Sequence, residues 1–172
     1  MTDLAFPQSL FLFAAATALL FAAAHDVAVR TVPNGVSLSV ALLGLALNAV
    51  EGRFVFAVAG GGLVFAASWY CWRRGWIGGG DVKLLTACAL LVPPASVPDF
   101  ILGTAIAGGL LALFYLTLGR LLTDAVTRRP RGFLRRVWRA ERRRISRGLA
   151  LPYCCAIAAS ALLTLCSPYR LI

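Results

Sequence analysis

Apolar residues in this chain come in long blocks, separated by short links rich in glycine, proline and charge. A membrane-crossing helix needs roughly 17–25 mostly apolar residues, and most of the blocks have that length. The first helix is expected over 7–24, ending at His25-Asp26. A link containing Arg30 and Pro33-Asn34 follows. Pro33 disfavours helix at Val32, and Asn34 is suited to cap a second helix over 35–50. Glu51-Gly52-Arg53 turns the chain into a third, 54–72. After Arg73 and Arg74 comes the stretch Gly78-Gly79-Gly80-Asp81-Val82-Lys83, then the apolar run 84–92. That run is short for a span and borrows flanking residues, so a fourth helix is expected over 82–97. Pro93, Pro94 and Pro98 mark the loop beside it. A fifth helix is expected over 100–119 and a sixth over 149–166, with a basic segment at 120–148 between them. No fixed-period repeat suggests a solenoid.

Composition turns these blocks into a class. Of 172 residues, 60% are hydrophobic, with mean hydropathy +0.81, against about 45–50% apolar in a soluble domain. The expected fold is therefore all-α: one polytopic membrane domain over 1–172, with about six transmembrane helices and one basic cytoplasmic loop. The first block lacks a basic leader and an obvious cleavage site, so its helix is read as retained. The glycines at 60–62 and 108–109 lie inside helices, where small residues allow close packing.

The net charge is +10, and eleven of the 17 basic residues lie between Arg120 and Arg147. In a soluble protein that would suggest nucleic acid. Between apolar runs it suggests anionic lipid instead, with no nucleic-acid partner. Phe133, Val137 and Ile145 share one helical face with Trp138 beside it, as in a basic helix lying in the lipid interface. The five cysteines form no CxxC pair, so no zinc ribbon or disulfide framework is visible.

Six helices imply a parity. Asp26 closes the first and Asp81 opens the fourth, so the two lie on one side of the membrane. Fifteen of the 17 basic residues fall on that side, which the positive-inside rule makes cytoplasmic. Of the seven acidic residues, Asp3, Glu51 and Asp99 fall on the other side, and Asp124 and Glu141 lie among arginines. Asp26 and Asp81 remain, each at an apolar boundary where a carboxylate is costly. Gly78, Gly79 and Gly80 leave the approach to Asp81 free of side chains. A glycine turn capped by Asp81 explains the same residues without chemistry. Two carboxylates brought close share a proton. Such a pair activates a water and hydrogen-bonds the carbonyl under attack, with no metal or organic cofactor. His25 is read as a boundary residue. Lys83 either places positive charge near the pair or marks the membrane edge.

With these residues in view, the chain resembles the type IV prepilin leader peptidases, most closely the short form found with tight-adherence (Flp) pili. Asp26 with Arg30 and Pro33-Asn34 is similar to the family's first-aspartate motif. Residues Gly78 to Leu85 are similar to its GxGD motif, and Leu151-Pro152-Tyr153 to its Pro-Tyr entry into the last helix. Thr31 and Val32 replace a basic residue and isoleucine common in the family, and Cys154 stands where glycine often follows Pro-Tyr. The resemblance implies a bacterial inner-membrane aspartic endopeptidase with Asp26 and Asp81 as its catalytic pair. Arg30, Asn34, Lys83 and Tyr153 would be supporting residues. Its substrates would be prepilins or pseudopilins, cut after a glycine at the cytoplasmic face, for pilus or secretion-system assembly. Nothing in the chain matches the methyltransferase domain of longer relatives. Two other classes use the same residues. A cation-coupled transporter would need polar groups along several helices, which this chain lacks. A non-catalytic scaffold gives no reason for Asp81 behind three glycines. Oligomeric state is not legible.

Overall fold

Six α-helices and no strand make up the described residues, 5–121 and 151–166, of a computed structural model. They are α1 (Ala5–Val29), α2 (Asn34–Val50), α3 (Phe54–Arg73), α4 (Gly79–Leu91), α5 (Val97–Leu121) and α6 (Tyr153–Cys166). A 3-10 turn, Pro94–Ser96, joins α4 to α5. Three spans are long and apolar enough to cross a membrane: Ser9–Val29, Phe54–Arg73 and Pro94–Leu118. The protein is an all-α, polytopic membrane protein. The remaining helices are shorter. α2, α4 and α6 have 17, 13 and 14 residues, or roughly 20–25 Å at 1.5 Å per residue, below the ~30 Å hydrocarbon core. The basic segment from 122 on, where an interfacial helix is expected from the sequence, lies outside the described residues.

Several helix ends differ from their expected places. α1 does not stop at His25-Asp26 but runs to Val29, because nothing before Pro33 breaks a helix. It ends at Arg30, a non-glycine residue at φ 62° whose N–H donates to Asp26 O at 2.8 Å. Asn34 is the first residue of α2 rather than its cap, and no side chain caps that helix. α4 starts earlier and ends earlier than 82–97. The glycines are helical from Gly79, and Pro93 pushes Val92 into extended backbone at φ −72°, ψ 154°. α6 begins at Tyr153, after Pro152.

α4 sits at the centre, packed on α2, α3 and α6. Its Leu84, Cys88, Ala89 and Leu91 are fully buried. Around it, α1 lies against α2 and α6, and α5 against α6. Large apolar side chains on the outer helices remain exposed, among them Val55, Leu63, Leu110 and Leu116. In a bilayer these face lipid, so their exposure costs nothing.

Candidate active site

One buried stripe runs down α1 through Ala15, Leu19, Ala22 and Asp26. Spacings of four, three and four keep these residues on one helical face. The alanine-rich stripe therefore carries Asp26 inward at the last turn, where it is 6% exposed. A carboxylate there also faces the negative end of the helix dipole. The fold places an acid where both burial and backbone oppose its charge.

Asp81 has the opposite setting. It lies in the first turn of α4, the favourable end for a carboxylate. Its Oδ2 accepts the Gly78 N–H at 3.3 Å, while its own N–H donates to Gly78 O at 3.1 Å. Asp81 thus reaches back to the residue that caps its helix instead of being the cap. Its Oδ1 accepts the Cys154 thiol at 3.2 Å.

The two aspartates share a cavity. Asp26 and Asp81 line one cavity of about 410 Å³ with Arg30, Thr31, Val32, Gly78, Gly79, Gly80, Lys83, Leu151 and Cys154. They are close enough for their charges to interact, and Cys154 touches Asp26 as well through its amide and thiol. Asp26 Oδ2 is buried without a hydrogen-bond partner. A buried acceptor left in that state is costly, which marks it as a place for a donor such as a water.

Glycine shapes the wall. A Cβ on Gly80 would sit 3.8 Å from Val32, and one on Gly79 would sit 3.4 Å from the Trp72 indole nitrogen. Both are ordinary contact distances, but the two glycines line the cavity, so a larger side chain at either would add bulk to its wall. Lys83 donates to Asn34 Oδ1 at 2.9 Å, tying the start of α2 to α4. Asn34 does not itself line the cavity. Arg30 does, and its guanidinium lies 6.0 Å from the Tyr115 ring of α5. Tyr153 is half-buried outside the lining, its ring filling the space left by Gly108 of α5. His25 turns away and pairs Nδ1 with Thr31 O at 2.7 Å. A carbonyl only accepts, so Nδ1 carries the proton.

Cys154 is a residue that the sequence reading noted only as a departure from a common glycine, without a place in the site. Its position in the buried stripe Cys154, Ile157, Ala161, Leu165 of α6 was the available signal. Among the described residues, no group of three or more His, Cys, Asp or Glu is placed to hold a metal ion.

No curated protein and no solved structure matches the chain. A family model does, over residues 13–113, more than half of the chain and including both aspartates. That model describes the type IV leader peptidases, whose substrates are of the prepilin type. The chain belongs to the type IV leader peptidase family.

Proposed function

We propose that this peptidase is of the aspartic type, with Asp26 and Asp81 as its catalytic pair. The observation that carries the reading is the convergence of these distant residues on one cavity. A water held between the carboxyls gives a proton to the ionised one and attacks the peptide carbonyl. The neutral carboxyl donates a hydrogen bond to the carbonyl oxygen. The tetrahedral intermediate collapses as the shared proton passes to the leaving amine, and the pair returns to its singly protonated form.

The substrate in this reading is a prepilin or pseudopilin of a bacterial inner membrane, cut between its basic leader and its apolar helix. The basic residues flanking the cavity side of the bundle favour a cytoplasmic cut. Anionic lipid holds that face. The product serves pilus or secretion-system assembly, in the manner of the short tight-adherence type, with hydrolysis alone and no methyl transfer. Incubating the purified full chain with a pilin precursor tests the reading. A shift to the size of the leaderless form, with a new N-terminus one residue after a glycine, is expected. An intact precursor would refute it.

A further inference from the structure

We infer that Cys154 is a positioning residue for the two carboxyls, an inference that rests on the aspartic reading above. Its thiol lies 3.2 Å from Asp81 Oδ1. A carboxylate only accepts, so the thiol donates. On the other side of Asp81, Oδ2 accepts the Gly78 amide at 3.3 Å. Asp81 is thereby held between two donors, one on each oxygen: the cap residue of its own helix and the second residue of α6.

The amide of Cys154 adds the link to Asp26. Cys154 is the second residue of α6, and amides in the first turn of a helix have no partner within it. The dipole of α6 also points its positive end at the pair. One residue of one helix therefore touches acids from two others, α1 and α4. What it leaves open is specific: Asp26 Oδ2 remains buried and without a partner, on a side chain only 6% exposed. With Cys154 on Asp81 Oδ1 and beside Asp26, and Gly78 on Asp81 Oδ2, the oxygen of the pair left without a partner is Asp26 Oδ2, on a residue that lines the cavity. Cys154 itself is 1% exposed, and a thiol so enclosed acts as a weak donor rather than a nucleophile.

A positioning donor affects turnover more than binding. With the full chain and a pilin precursor, Cys154→Ala is expected to lower kcat about 5-fold with KM unchanged, the scale of one modest hydrogen bond. Cys154→Ser, which restores a donor, is expected to recover at least half of the loss. Wild-type kcat in the alanine variant, a loss confined to KM, or a serine variant as slow as alanine would overturn the role. An infrared reading separates this role from the proposed activity. The S–H stretch isolated by subtracting the Cys154→Ala spectrum is expected below that of a free thiol, and to move toward it in Asp81→Asn. A free-thiol frequency in the wild type would overturn the contact whether or not the protein cleaves. Cleavage surviving in Asp81→Asn would instead defeat the aspartic reading.

Discussion

The two ends of α4 use glycine in opposite ways. At the C-terminal end the glycines belong to the neighbours. Gly44 of α2 lies so close that a Cβ on it would be 2.5 Å from Leu91 Cα, and Gly61 of α3 receives the Leu90 side chain. Asn48 of α2 donates to Leu90 O at 3.0 Å, and Leu91 and Val92 are fully buried. At the N-terminal end the glycines belong to α4 and its cap, and they leave a cavity instead of closing one. The same 13-residue helix is clamped at one end and open at the other. A fixed lower end is what allows an open upper end to hold acids in register, because a loose helix would let Asp81 drift from Asp26.

This contrast can be broken most severely at the clamp. Gly44→Leu would drive a side chain into the α4 backbone, an overpacking cost of about 3 kcal/mol or more. Loss of folded protein from the membrane fraction is expected. Gly62→Leu, on the same scale of change but with nothing within 4 Å, is expected to leave folding and cleavage as they are. Filling the open end is milder for the fold and sharper for the chemistry. Gly80→Leu is expected to keep the protein in the membrane while lowering precursor cleavage by about a hundredfold, through crowding of the cavity. Lys83→Met removes the tie to Asn34, an exposed hydrogen bond. A loss of roughly 3-fold in cleavage is expected from it, the scale of ~0.5–1 kcal/mol, and Asn34→Ala should match it. If Lys83→Met instead costs as much as Gly80→Leu, the lysine acts on the reaction and not only on the link.

Much of the frame was legible in the residues. Blocks of apolar residues place six helices, and the order of the links puts Asp26 and Asp81 at one end. What was not legible depends on contacts between distant segments. Nothing local shows that Asn34 gives up its capping place to accept from Lys83, since that lysine comes from another helix. The end of α1 was misplaced because His25-Asp26 looks like a polar boundary. Asp26 is instead a buried residue of the helix, and only the stripe from Ala15 through Ala22 hints at it. Span lengths were overestimated for α4, where Pro93 stops the helix and the chain turns at once into Pro94–Ser96. Cys154, read in the sequence only as a departure from an expected glycine, carried no role there. Its meaning appears only when α6 is packed beside α4.

Precursor cleavage by Asp26→Asn, by Asp81→Asn and by the double variant, each compared at equal protein level in the same membranes, is the most direct measurement. If the two acids work as one unit, each single change abolishes cleavage, a fall of about a thousandfold or more, and the double change adds nothing further. Either single variant keeping a tenth or more of the wild-type rate would contradict a shared-proton pair.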